Sequence, residues 1–348
     1  MIEFAEGNLL EADAEALVNT VNTEGVMGKG IALQFKRAFP EMYESYRTAC
    51  KQGELQPGRM HVYERNGLST AGPHYIINFP TKRHWRQPSR MEDIRTGLQA
   101  LVDEVSRRKI KSIAIPPLGC GHGGLMWSDV RELIMAAFEP LYDVRTIIYP
   151  PAGFPESDAM PSRTERPAMN RSRAMMLQLL QRYRVLGYEL TLLEVHKLLY
   201  FLQESGEPLQ LQFRKSFYGP YADNIRHVLL RFEGHFTQGM GAGESRPQTP
   251  IRLLPEAVQE AAAYLVQHPD TEADARLRRV TNLIEGYESP YGVELLATIH
   301  WLATRGPETG DLHATIKAIQ SWNARKKKLM KEEHIALAWE RLKQQEWI

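Results

Sequence analysis

Pro116-Pro117-Leu118-Gly119-Cys120-Gly121-His122-Gly123-Gly124 follows the apolar run Ile110 to Ile115 and precedes a helix-like segment, Trp127 to Phe138. A short buried strand that ends in a glycine loop and then opens a helix can cradle a pyrophosphate, because backbone N–H groups converge on the anion and missing side chains let it come close. The stretch is neither a Walker loop, since no Gly-Lys-Ser/Thr follows, nor a G-x-G-x-x-G fingerprint. Taken alone, its glycines fit a tight strand-to-helix turn as well as a nucleotide-like ligand.

A second glycine loop weighs against the bare turn. Ala16-Leu17-Val18-Asn19-Thr20-Val21-Asn22 reads as a strand and runs through Gly25-Val26-Met27-Gly28-Lys29-Gly30-Ile31-Ala32 into a helical pattern that continues to Cys50. Two strand-loop-helix units with glycines at the carboxyl ends of their strands face one crevice in an α/β sheet, where such folds bind ligands.

Further strands are predicted at Ile2 to Ala5, Arg59 to Glu64, Tyr75 to Asn78, Ser112 to Ile115 and Thr146 to Tyr149, with helices at Gly30 to Cys50, Met91 to Arg108 and Ser128 to Phe138. Prolines at 150, 151, 155, 161 and 167 then break the alternation. This divides the chain into a first domain over 1–150, a linker over 151–169 and a second domain over 170–348. The last is read as mainly helical, with segments such as Thr191 to Glu204, Ala222 to Phe232 and Lys326 to Gln345.

The 348 residues are 43% hydrophobic and 24% charged, the profile of a globular protein. Basic and acidic residues balance within each half, 18 against 18 in residues 1–150 and 25 against 24 in residues 151–348, so neither half carries the bulk positive charge that drives nonspecific duplex binding. Any grip on nucleic acid is local, and Lys82-Arg83-His84-Trp85-Arg86-Gln87-Pro88-Ser89-Arg90 interleaves cations with an aromatic in the way that holds phosphate while stacking on a base. Cys50 and Cys120 make no disulfide framework and no metal-ligand spacing, and no metal or cofactor is expected. With no signal peptide and no membrane-length apolar run, the expected location is cytoplasmic and no membrane partner is expected.

Gly7-Asn8-Leu9-Leu10, Val18-Asn19-Thr20-Val21-Asn22, Gly28-Lys29-Gly30 and Pro117-Leu118-Gly119-Cys120-Gly121 occur in the order that resembles a macrodomain, the ADP-ribose-binding fold. Asn78-Phe79-Pro80-Thr81-Lys82 and the Leu125-Met126-Trp127 that follows the second loop resemble the branch holding the terminal ADP-ribose glycohydrolases and the DNA ADP-ribosyl glycohydrolase antitoxins. The resemblance implies an α/β fold: a three-layer α/β/α macrodomain with a mixed sheet, followed by the mainly α-helical second domain. In that second domain Lys197-Leu198-Leu199-Tyr200 and Tyr218-Gly219-Pro220 resemble the Panacea or SocA-like antitoxin domains, over about residues 172 to 305.

What the resemblance implies for function is hydrolysis of the N-glycosidic bond between ADP-ribose and a DNA base, with ADP-ribosylated DNA as substrate, ADP-ribose as product and a DarT-type toxin as partner. An ADP-ribose reader without hydrolysis and a protein de-ADP-ribosylase stay open beside it. The implied ligand contacts are Asn8, Leu9, Asn19, Asn22, Gly28, Lys29, Gly30, Ile31, Pro117, Leu118, Gly119, Cys120, Gly121, His122 and Gly123. Contacts to DNA fall to Lys82, Arg83, His84, Trp85, Arg86 and Arg90.

By its position, Lys82 is the catalytic lysine that the branch implies. Its amine attacks C1 of an opened ribose to give a Schiff-base-like intermediate when burial or a neighbouring cation, Arg83 or His84, lowers its pKa from about 10.4. The acidic residue that terminal glycohydrolases carry two positions after Gly-Cys-Gly is replaced here by Gly123. Either Lys82 works with the substrate's own phosphate or with water, or His122 takes a secondary proton-transfer role. Asn8 stands where many macrodomains hold the adenine amino group with Asp, and accepts the same bond without the charge. Cys120 has no relay partner and reads as a packed thiol. Glu204 with Glu207, or Glu285 with Glu288, are candidates for an acidic face that occupies the toxin's DNA groove.

Overall fold

A computed structural model describes residues 1–65, 72–151, 163–184, 189–241, 246–306 and 311–348. The chain divides into two compact units, Met1–Glu165 with Gly241–Glu244, and Arg166–Met240 with Ser245–Ile348. Residues 152–162 of the expected linker lie outside the described residues.

The first unit is built on six strands, β1 (Ile2–Phe4), β2 (Ala16–Asn22), β3 (His61–Glu64), β4 (Tyr75–Lys82), β5 (Ser112–Ile115) and β6 (Arg145–Ile148), in the order β1-β6-β5-β2-β4-β3. All neighbours are parallel except β3 and β4, so the sheet is mixed. Alternation along each strand decides what covers each face. Ala16, Val18, Ile77, Phe79, Ile113 and Ile115 meet the apolar faces of α3 (Met91–Arg108) and α4 (Trp127–Phe138). Leu17, Val21, Ile76, Ala114 and Ile147 meet α1 (Gly30–Ala38) and α2 (Pro40–Lys51) on the other side. These are the three layers, helix, sheet and helix.

Two local features depart from the sequence reading. The single helix expected over Gly30 to Cys50 is two, because Phe39 sits at φ −137° and ψ 71° ahead of Pro40 and cannot continue α1. A residue before proline is pushed out of the helical region, while proline is at ease in a first helical turn. Strand β4 was expected to stop at Asn78 and runs on to Lys82 through Pro80. The ladder with β2 tolerates this proline because its register shifts between Val21 and Asn22, which sets Asn22 opposite Lys82. That irregularity lies where three adjacent strands, β5, β2 and β4, release their loops.

The second unit packs α5 (Arg171–Tyr183), α6 (Leu192–Glu204), α7 (Ile225–Phe232), α8 (Pro255–Gln267), α9 (Thr271–Ile284), α10 (Pro290–Arg305), α11 (Leu312–Trp322), α12 (Ala324–Leu329) and α13 (Glu332–Gln344) around its own core. Helix α6 is buried from Leu192 to Leu202 and starts with a capping box between Thr191 and Glu194. Two short antiparallel pairs interrupt the helices, β7 (Phe213–Ser216) with β8 (Gly219–Ala222), and β9 (Thr237–Gln238) with β10 (Arg252–Leu253). The helix expected from Ala222 therefore starts at Ile225, and the one expected from Lys326 is split around Met330. Among the described residues no helix is long and apolar enough to cross a membrane.

The acidic face expected in this unit is narrower than the sequence suggested. Glu207 is buried between Arg171 and Arg276, and Glu204 is paired with Arg305 at 2.6 Å. Glu285, 3.6 Å from Arg341, and Glu288 remain exposed and, with Arg182 and Asn282, line an open cleft of about 290 Å³.

Candidate functional site: three loops at one sheet edge

The loop after β2 is shaped by Asn22. Its Nδ2 donates to the Val26 carbonyl at 2.6 Å, its Oδ1 accepts from the Glu24 amide at 2.9 Å, and its backbone carbonyl accepts from the Tyr46 hydroxyl at 2.7 Å. Asn22 is 7% exposed, so its amide holds the loop where the sequence reading had it on the ribose. Gly28 and Lys29 are exposed, and α1 begins at Gly30 with no side-chain cap from Lys29. Uncapped first-turn N–H groups at a helix N-terminus suit an anion. Ile31 is half-buried beside them.

In the loop after β5 the glycines divide by what surrounds them. A Cβ on Gly119, at φ +73°, would lie 2.9 Å from Leu125 and 3.0 Å from Ser89, and one on Gly123 would lie 2.2 Å from the Gly119 carbonyl. These two are glycine because the loop packs on itself and on Ser89. Gly121 and Gly124 have nothing within 4 Å, so the approach they leave open is to the outside. Cys120 is half-buried, and burial above all pushes its thiol up to about 11. It is a thiol at neutral pH, with no thiolate to act as nucleophile.

Lys82 ends β4, and its Nζ donates to the His122 carbonyl at 2.6 Å, joining the third loop to the second. Burial lowers its pKa below the usual lysine value. The sequence reading gave that task also to Arg83 and His84; instead, Arg83 is committed to the buried Asp93 at 2.9 Å, and His84 stacks on Trp85 with centroids 5.6 Å apart. Two more ties close the set: the Thr23 hydroxyl donates to the Arg83 carbonyl at 2.5 Å, and the Ser89 amide to the Gly123 carbonyl at 3.0 Å. The His122 ring lies against the first loop, 3.6 Å from where a Cβ of Gly30 would stand. All three loops thus meet around Lys82 and His122.

Several expected contacts are placed elsewhere. Asn19 is fully buried and donates to Asn78 Oδ1 at 2.8 Å, while Asn78 Nδ2 donates to His61 Nδ1 at 3.0 Å, so Asn19 belongs to a polar link inside the sheet. Leu9 and Leu118 are core side chains with only backbone groups left for a ligand. Asn8 Oδ1 accepts from the Leu10 amide at 3.1 Å and caps a short turn. Pro117 is half-buried at the start of the loop. Of the DNA candidates, Trp85 is 47% exposed with the Arg86 guanidinium 4.5 Å from its ring centre, and Arg90 is exposed ahead of α3. Ser89 was missed: nothing in its sequence context marks a serine as the packing partner of two glycines some thirty residues away. Among the described residues no cluster of three or more His, Cys, Asp and Glu suits a metal.

The Macro domain family matches residues 18–134. A DNA ADP-ribosyl glycohydrolase of Thermus aquaticus is 48% identical over 326 residues, spanning 94% of this chain and 89% of that protein. A DNA ADP-ribosyl transferase-DNA ADP-ribosyl glycohydrolase fusion protein of Thermosipho africanus is 38% identical over 146 residues, 38% of each chain. Among solved structures, the macrodomain of Mycobacterium tuberculosis DarG is 54% identical and covers 44% of this chain and 99% of its own, with a TM-score of 0.43. At that identity over almost the whole length of the Thermus aquaticus relative, the chain belongs to the DNA ADP-ribosyl glycohydrolase family.

Proposed function

We propose that this chain hydrolyses the N-glycosidic bond between ADP-ribose and a DNA base, with Lys82 as the reacting group, and that its second unit binds and neutralises a DarT-type toxin. The observation that carries the first part is the Lys82 amine, half-buried, with lowered pKa, and held at 2.6 Å to the carbonyl of a glycine loop. A neutral amine has the lone pair that attack on C1 requires. In the proposed sequence the Lys82 N–C1 bond forms as the bond from C1 to the base breaks, and the departing base nitrogen takes a proton from water or from His122. Water then cleaves the C1–lysine bond, releasing ADP-ribose and restoring the amine. The uncapped start of α1 and the open Gly121 and Gly124 receive the phosphates.

For the second part the support is the fusion relative, whose name joins a transferase and a glycohydrolase in one protein, and the exposed Glu285 and Glu288 in their cleft. Such carboxylates fit a groove built for phosphate. Incubation of the full chain with an ADP-ribosylated oligonucleotide, read by mass spectrometry, tests the reaction. Free ADP-ribose with an intact, unmodified strand supports it. Tight binding without release would make the chain a reader, and release only from modified protein would change the substrate.

A further inference from the structure

The two motifs singled out in the second unit meet in space. Lys197 Nζ is fully buried and donates to the Pro220 carbonyl at 2.6 Å, fixing the β7–β8 hairpin on α6. From the other side, Trp322 Nε1 donates to the Ser216 carbonyl at 3.0 Å and Asn323 Nδ2 to the Phe217 carbonyl at 3.0 Å, so the junction of α11 and α12 clasps the turn. The turn is therefore rigid, yet it presents Phe217 with 51% of its surface exposed.

Charge collects around that aromatic tip. Lys215 lies 4.3 Å from the Trp322 ring centre and Arg325 4.7 Å from that of Tyr218. Beneath them Arg325 and the buried Lys326 share one carboxylate, Glu294, each at 2.7 Å. Lys215, Lys327 and Lys328 are exposed, and among the described residues no ion pair holds them. Arg214 is answered by Asp223 at 2.7 Å, and Glu332 and Glu333 follow only at the start of α13. In a chain of net charge +1 this is a local concentration of cations on an aromatic platform.

We propose that the β7–β8 turn and α12 form a binding surface for single-stranded DNA, with Lys215, Lys327 and Lys328 on phosphates and Phe217 stacked on a base. The cations suit any polyanion, and among nucleic acids an exposed ring on this turn stacks only where bases are unstacked, which favours a single strand over a duplex. The surface is independent of the Lys82 chemistry, because it needs no modified base.

Fluorescence anisotropy of the full chain with a labelled, unmodified oligothymidine of about a dozen nucleotides tests this over a salt series. Changing Lys215, Lys327 and Lys328 together to Gln is expected to weaken binding at least about tenfold at low salt. It should also reduce the slope of log K against log salt by about 2, since each phosphate contact to a single strand contributes about 0.7. Phe217→Ala is expected to weaken binding at least about fivefold and leave the slope alone. The four side chains changed are themselves exposed, and circular dichroism checks that the fold is kept without the Lys215 contact to Trp322. No binding by the parent chain, or binding and slope unchanged in both variants, would overturn the proposal, the second result placing the DNA on another surface such as the Lys82 to Arg90 stretch.

Discussion

Lys82 Nζ serves two purposes at once: it ties two loops through the His122 carbonyl, and it sits where burial disfavours its charge. A carbonyl accepts from either protonation state, more strongly from the ammonium, so this bond opposes the effect of burial without abolishing it. Because only the neutral amine attacks, and the folded pKa lies below the usual 10.5, the rate of ADP-ribose release should rise with pH and level off below that value. Single-turnover measurements across alkaline pH check this, and a rate that falls as pH rises would speak against an amine nucleophile. Lys82→Arg, which keeps a charge at every accessible pH, should lose the rising limb while still binding ADP-ribose. The glycines show how far single residues were legible. Their clustering marked a candidate site, but nothing in it tells Gly119 and Gly123, required by packing on Ser89, from Gly121 and Gly124, which face open space.

At the scale of elements, the packing of α3 on β4 depends on Gly97, where a Cβ would lie 2.2 Å from the ring of the buried Phe79. Alanine gains about 1 kcal/mol of helix propensity over glycine, whereas overpacking a filled core costs about 1–3 kcal/mol. Gly97→Ala should therefore destabilise the first unit in urea unfolding; a gain near 1 kcal/mol would mean that Phe79 yields freely. Strand β5 was legible to the residue, since Ser112–Ile115 is a short apolar run bounded by a charge and two prolines. The end of β4 was not, because Pro80 looks like a stop until the register shift opposite it is known. The β7–β8 hairpin escaped for a different reason: Phe213–Ala222 has no strong alternation, and what holds it is α6, α11 and α12, remote in sequence. The contact between Lys82 and His122, forty residues apart, was likewise beyond any reading of spacing.

For the whole molecule, each unit has a core of its own, one of them divided between two sheet faces. A fragment from Arg166 to Ile348 should accordingly fold alone, release no ADP-ribose from DNA, and bind a DarT-type toxin in a pull-down. Changing Glu285 and Glu288 to Lys should weaken that binding, and unchanged binding would move the toxin contact to another face. In the proposed mechanism the reaction belongs to the first unit and, within it, to the Lys82 amine. Its most direct test compares the parent chain with Lys82→Ala on one ADP-ribosylated oligonucleotide, with ADP-ribose binding followed separately by thermal shift. Lys82→Ala is expected to release ADP-ribose at least about 10³-fold more slowly, with stabilisation by ADP-ribose retained. Near-parental release by this variant would rule out the Lys82 amine as the reacting group.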